Sequence, residues 1–174
     1  NGDHFVWSRG EELMTDRFPE LARARDFVPD GTVLDGEVLA WGDGVPQNFN
    51  ALQKRIGRKT VPKKLLNEAP VILYAYDLLE WGGADLRQEP LQQRRATLEH
   101  LCECLPSDAP VKLSPTMPFD TWNTLADIRR TARDAQAEGL MLKRRDSPYL
   151  TGRKNGDWWK WKLDPLTIDA VMIY

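Results

Sequence analysis

Short runs of apolar residues alternate along this chain with segments of helical spacing. Phe5-Val6-Trp7 follows the turn signal Asn1-Gly2 and predicts a strand. Residues 32–41, Thr-Val-Leu-Asp-Gly-Glu-Val-Leu-Ala-Trp, predict a second strand, closed by Gly42-Asp43-Gly44. Phe49, Leu52 and Ile56 recur at helical spacing and predict a short helix over 48–57. Val71 to Leu79 predicts a third strand, stopped by Gly82-Gly83. Pro90 can open a helix at its first turn; Leu91, Leu98, Leu101, Cys102 and Leu105 supply an apolar stripe, and Pro106 ends it. Val111-Lys112-Leu113 reads as a short strand. Asp120 is expected to cap a helix that turns Trp122, Leu125, Ile128, Ala132 and Ala135 inward until Gly139 breaks it. Strands are then expected over 140–143, 158–163 and 167–174, with Pro165 between the last two. Many strands with few, irregular helices predict an α+β fold with mainly antiparallel sheets, not a doubly wound parallel one.

Composition narrows the classes. The 174 residues suit one domain or a piece of one, and no repeat, low-complexity tract or linker interrupts them. With 41% hydrophobic and 29% charged residues the chain is not of the disordered type. No apolar run reaches the roughly 18 residues needed to cross a membrane. The start, Asn1-Gly2-Asp3-His4, has neither the basic and apolar regions of a secretory signal nor an initiator Met, so the chain is expected to begin inside a longer, intracellular protein. His4, His100, Cys102 and Cys104 show no zinc-site spacing. Cys102 and Cys104, two apart on a helix, point to different sides and read as helix-filling thiols of a reducing compartment. Any chemistry must rest on carboxylates, Lys, Arg and aromatics.

Charge is unevenly spread. Lys and Arg number 24 against 26 Asp and Glu, a net charge of −2. Residues 143–162 hold seven basic side chains (Lys143, Arg144, Arg145, Arg153, Lys154, Lys160, Lys162) against Asp146 and Asp157, a net +5 that leaves −7 for the rest. Tyr149, Trp158, Trp159 and Trp161 interleave with them, a mixture that suits a polyphosphate or nucleic-acid backbone; a solvated charged face is the plainer alternative. Strand alternation puts Lys160 and Lys162 on one face with Trp158, and turns Trp159 and Trp161 the other way, toward the core. Two like charges on one face are unfavourable without an anion, which favours an anion site.

Asp35 and Glu37 are expected to share a strand face, with Gly36 letting another group approach the backbone. They can hold Mg²⁺ or accept hydrogen bonds from a ribose, or form an exposed acidic edge. Tyr74 and Tyr76 share a face as well, and either can stack on a base or pack in the core. Glu138 and Lys143 should fall on opposite faces unless Gly139 kinks the chain.

Taken in order, five segments resemble the nucleotidyltransferase core of the ATP-dependent DNA ligases: Trp7-Ser8-Arg9-Gly10, Asp35-Gly36-Glu37, Tyr74-Ala75-Tyr76-Asp77-Leu78-Leu79, Glu138-Gly139-Leu140-Met141-Leu142-Lys143 and Trp159-Lys160-Trp161-Lys162. Tyr149-Leu150-Thr151-Gly152-Arg153 is similar too. The resemblance implies an adenylation domain, two antiparallel sheets flanked by helices around a nucleotide cleft. It implies that Glu37 binds the ribose or helps organise a metal, that Tyr76 rather than Tyr74 stacks on adenine, and that Glu138 helps hold a divalent metal. Lys143, Lys160 and Lys162 would contact phosphates, the last two as catalytic residues, and Arg9 would lie near the nucleotide or the DNA end. It further implies ATP and Mg²⁺ as cofactors, ATP or AMP and nicked duplex DNA as partners, and a monomeric cytoplasmic enzyme of DNA repair, replication and recombination.

One family feature is missing. No Lys-x-Asp-Gly, the motif of the lysine that attacks ATP, occurs in these residues. Lys54, Lys59, Lys63 and Lys64 stand in the wrong context to replace it. The chain is therefore expected to be a partial adenylation domain, without the strand that bears this lysine, without the OB-fold and DNA-binding domains, and inactive alone. RNA ligases and mRNA capping enzymes share most of the motifs and form the alternative enzyme reading, although Glu-Gly-Leu-Met-Leu-Lys and Phe49-Asn50-Ala51-Leu52-Gln53 look more ligase-like. A noncatalytic nucleotide- or DNA-binding module is the alternative outside the enzymes.

Overall fold

The computed structural model describes residues 2–58, 60–152, 154–165 and 167. They form two units, Asn1–Met117 with Arg144–Lys154, and Pro118–Lys143 with Asn155–Tyr174.

The first unit is built on two long strands, β1 (Val33–Gly42) and β3 (Val71–Trp81), antiparallel over most of their length. Their Val, Leu, Ile and Tyr content is what a half-buried pleated surface selects. Short antiparallel strands extend the sheet, β2 (Val45–Pro46) on β1 and β4 (Ala84–Asp85) on β3. β5 (Val111–Leu113) joins β3 in parallel, the one parallel pair among the described residues of a mainly antiparallel α+β fold. Between β2 and β3 lie helices α1 (Phe49–Ile56) and α2 (Lys63–Glu68). Asn48 caps α1 by accepting the amide of Ala51 at 3.2 Å, a contact worth about 1 kcal/mol. Helix α3 (Leu91–Cys104) connects β4 to β5 and buries Leu91, Arg94, Leu98 and Leu101, one face at three- and four-residue spacing.

Two apolar clusters form the core of this unit. Met14, Phe18, Leu21, Ala40, Leu52 and Val71 make one; Ala75, Leu78, Leu98 and Val111 make the other. Arg55 is fully buried beside the first. Its guanidinium holds both carboxylate oxygens of Glu20 (2.5 and 2.8 Å) and the carbonyls of Arg17 and Ala69, so α1 is locked to the 3₁₀ stretch Pro19–Asp26.

In the second unit, β6 (Gly139–Lys143) and β7 (Trp158–Lys162) form an antiparallel pair beside α4 (Trp122–Arg130). Leu125 is the buried residue of α4.

Several expectations are corrected. Phe5–Trp7 forms no strand: a single bridge from Trp7 to Leu13 closes a tight turn, too short a ladder to propagate. The cap of α4 is Thr121, whose hydroxyl accepts the amide of Thr124, not Asp120. Trp122, expected inward, is 67% exposed, and Ala135 is exposed because the helix gives way to a 3₁₀ turn over Ala132–Ala135. Trp159, expected inward, is 48% exposed, since alternation fixes the face of a strand residue but not what covers that face. The strand expected over 167–174 lies, except for Thr167, outside the described residues.

Candidate functional site

In the first unit the acidic pair sits at an irregularity in the sheet. Register shifts between Asp35 and Gly36, so that Asp35 pairs with Asp77, Gly36 with Ala75 and Glu37 with Tyr74. A Cβ on Gly36 would lie 2.8 Å from the Tyr74 carbonyl and 3.0 Å from the Ala75 Cα. The group that approaches this glycine is therefore the neighbouring strand. The bulge aims the half-buried Asp35 at two phenols. Tyr76 donates to Asp35 Oδ1 at 3.0 Å and Tyr149 donates to Oδ2 at 2.8 Å. Glu37 is exposed.

Burial pushes the Tyr76 phenol far above the usual tyrosine range, and the Asp35 charge and hydrogen bond and the nearby Glu37 charge push it further. Tyr149 is raised by burial and by its bond to Asp35. Asp35, Glu37 and Tyr76 are thus brought near one another, with Asp35 committed to tyrosines and Glu37 the carboxylate open to solvent. Tyr74 instead packs at a tilt on Trp41, with ring centroids 6.1 Å apart. Arg9 is exposed on the turn closed by the Glu11 amide and the Ser8 carbonyl at 3.0 Å.

Beneath this cluster lies a fully buried ion pair. Arg94 donates to Asp77 Oδ1 at 2.8 Å and to Oδ2 at 3.0 Å, and to the carbonyls of Glu89 (2.5 Å) and Ser147 (3.1 Å). The Leu91 and Gln92 amides donate to the carbonyls of Ser147 and Arg145, both at 2.9 Å, and the Tyr149 amide to that of Arg87 at 2.7 Å. These bonds anchor the segment 144–150 on the start of α3 and fix where Tyr149 stands.

In the second unit, β6 and β7 are in a register that puts Lys143 opposite Trp158, Met141 opposite Lys160 and Gly139 opposite Lys162. Cross-strand partners share a face, so Lys143, Lys160 and Lys162 do as well. The Lys143 ammonium lies 3.7 Å from the Trp158 ring centroid, a cation–π contact. Gly139 has φ of 142°, and a Cβ there would lie 2.7 Å from the Lys162 Cα. That conformation is the kink that lets Glu138 reach the lysine face, where its Oε2 accepts from Lys162 Nζ at 2.6 Å. The hydrogen bond and charge of Lys162 hold the Glu138 carboxyl below its usual range. Arg129 of α4 donates twice to the Lys162 carbonyl (2.8 and 2.6 Å) and lies 5.3 Å from the Trp161 centroid, which steadies the end of β7.

The basic strip of residues 143–162 is divided: Lys143, Lys160 and Lys162 belong to the second unit, Arg144 to Lys154 to the first. Among the described residues no group of three or more His, Cys, Asp or Glu side chains forms a metal cage, and no helix is long and apolar enough to cross a membrane. Arg94, its pairing with Asp77 and the pairing of Asp35 with Tyr149 lie outside the expectations from sequence. A signal existed for Arg94, which occupies the stripe position between Leu91 and Leu98 and so needs a buried acidic partner.

A bulged strand bearing Asp35-Gly36-Glu37, a neighbouring strand bearing Tyr76 and a two-stranded sheet with three lysines on one face carry, in chain order, the segments by which the sequence resembles a nucleotidyltransferase domain. The family model described as "ATP dependent DNA ligase domain" matches residues 1–162, and the chain belongs to that family. A "Probable DNA ligase" of Opitutus terrae is 36% identical over 194 residues, covering 97% of this chain and 19% of its own length. A DNA ligase of Haloferax volcanii is 35% identical over 174 residues, covering 99% of this chain and 29% of its own length. The chain thus spans less than a third of these relatives. The structure of "mycobacterial DNA ligase D complexed with ATP and MES" superposes with a TM-score of 0.70 at 31% identity, over 91% of this chain and 47% of that one. Chlorella virus DNA ligase-adenylate (TM-score 0.59, 20% identity, 91% of this chain and 56% of that one) shares the fold.

Proposed function

We propose that this chain is the ATP-binding portion of the adenylation domain of a DNA ligase that seals nicked duplex DNA. The observation that supports this most directly is the alignment of Lys143, Lys160 and Lys162 on one face of the β6–β7 pair. Such a face carries its own repulsion, which a polyphosphate relieves. In this reading Tyr76 is the platform for adenine, Glu37 accepts from the ribose, and the three lysines meet phosphate oxygens. Arg9 lies toward the nucleotide or the DNA end.

Lys162 exchanges Glu138 for phosphate when the nucleotide binds. Glu37 and Glu138 are each single, exposed, hard oxygen donors, the kind by which Mg²⁺ is held together with substrate phosphates and water, so the residues fit that ion. When bound, Mg²⁺ would supply charge neutralisation at the phosphates. The 174 residues contain no Lys-x-Asp-Gly, and in this proposal the nucleophile lies outside them. That lysine takes AMP from ATP with release of pyrophosphate, AMP passes to a 5′-phosphate at a nick, and the 3′-hydroxyl displaces it. The lysines of β6 and β7 stabilise the negative charge that develops on the transferred phosphoryl group. Such a role places the protein in DNA repair, replication or recombination.

The test is lysine–AMP formation from α-labelled ATP by the full-length protein. Removing one fixed donor to developing charge costs about 3 kcal/mol of barrier, so Lys162→Ala is expected to slow adenylation by about 100-fold or more. An unchanged rate would end the assignment of Lys162.

A further inference from the structure

Asp35, Tyr76, Tyr149, Arg94 and Asp77 form a closed circuit. The Asp35 carboxylate joins the phenols of Tyr76 and Tyr149. Two residues before Tyr149, the Ser147 carbonyl accepts from Arg94, which grips Asp77, and Asp77 follows Tyr76 directly on β3. Tyr76 is therefore held at both ends, its backbone by the buried pair and its hydroxyl by Asp35.

A ring that serves as a stacking platform gains from being held in place beforehand, because any freedom it keeps must be lost when the base binds. Tyr76 by itself turns about two side-chain bonds; the hydrogen bond to Asp35 pins its hydroxyl end and so fixes the first torsion, and because a phenol O–H prefers the plane of its ring, the direction of the bond also favours one ring plane. Asp35 in turn cannot swing toward solvent while Tyr149 holds its other oxygen. Tyr149 is fixed independently of Tyr76, through its amide on the Arg87 carbonyl and through Arg94, 5.9 Å from its ring centroid.

We propose that Asp35 and Tyr149 are positioning residues that fix the ring of Tyr76 for a purine base. The proposal rests on the reading of Tyr76 as the adenine platform. It assigns Asp35 no direct contact with the nucleotide or with a metal, and separates it from Glu37 two positions on.

The test uses the full-length protein and measures KM for ATP and kcat of lysine–AMP formation. Tyr149→Phe keeps the ring and deletes one hydrogen bond to a charged group. It is expected to raise KM about five- to tenfold while kcat stays within about twofold. Asp35→Asn, which keeps one good acceptor, is expected to move KM in the same direction by less. In a Tyr76→Ala background the Tyr149→Phe penalty should shrink to less than about twofold, because the two residues then share no task. A purely structural role predicts the reverse, with penalties that multiply, or a lower melting temperature at unchanged KM. Either result overturns the proposal, as does a fall in kcat at constant KM. Tyr76→Ala that leaves KM unchanged removes the adenine platform itself and the proposal with it; the other outcomes leave that platform standing.

Discussion

Replacing Arg94 by Met should be among the most damaging single changes in this fold. Arg94 and Asp77 are both fully buried, and the guanidinium makes four hydrogen bonds, two to the carboxylate and two to the carbonyls of Glu89 and Ser147. Met fills much of the same volume, so the loss is electrostatic, not steric. It leaves the Asp77 carboxylate in the core with the Leu78 amide at 2.9 Å, and takes a donor from the carbonyls of Glu89 and Ser147, the latter still held by the Leu91 amide. Breaking a buried pair from one side costs about 3–5 kcal/mol, against a total stability on the order of 5–15 kcal/mol. In a urea titration with a slope of about 2 kcal/mol per molar, the midpoint should fall by about 2 M. Asp77→Leu added to Arg94→Met removes the stranded charge and should recover most of the loss, since replacing both partners of a buried pair by apolar groups is often neutral. A midpoint shift below about 0.5 M for the single variant, or a double variant no more stable than the single, would refute the reasoning.

Gly139→Ala should destabilise the β6–β7 pair by about 1–3 kcal/mol, because the new methyl meets the β7 backbone at a left-handed φ; amide exchange of Leu140 to Lys143 reports it, and unchanged protection counts against the kink. Tyr76 and Tyr149 should stay protonated while ordinary phenols ionise at about pH 10. Their folded values are raised above the unfolded one, so their contribution to stability is complete below about pH 10 and is lost as pH rises through the folded values. Ultraviolet titration should show these two phenolates forming together with unfolding; early, independent ionisation of all tyrosines would contradict the Asp35 geometry. Glu138 has the opposite sign: its lowered value gives a contribution present above the usual carboxylate range and lost as pH falls, and since the pair with Lys162 is exposed, high salt should erase it.

The parts of the fold legible in the sequence are those where one local rule suffices. β1 and β3 carry long apolar runs with clear stops at Gly42 and Gly82, and α1 and α3 pair helical spacing with Asn48 and Pro90 at their starts. The parts that were not legible depend on partners distant in sequence. Nothing in Val111-Lys112-Leu113 says that it joins β3 in parallel, and α2, six residues long, is too short to show a period. Trp159 and Trp122 follow the pattern of inward residues yet are exposed, because periodicity assigns a face, not what lies against it.

The site divides in the same way. The lysine face of β7 follows from period-two spacing alone. The Asp35 clasp depends on a bulge between Asp35 and Gly36 and on Tyr149, which is 114 positions away, and neither leaves a local mark.

The β6–β7 connection leaves the second unit at Arg144, docks on α3 and returns only at Asn155. The smaller unit is therefore not a continuous stretch of sequence. No single truncation point yields it, and any version of it made alone needs a new linker in place of residues 144–154. During synthesis β6 has to wait for β7, so the lysine face is completed only after the body of the larger unit, with α3 and β5, has already been made.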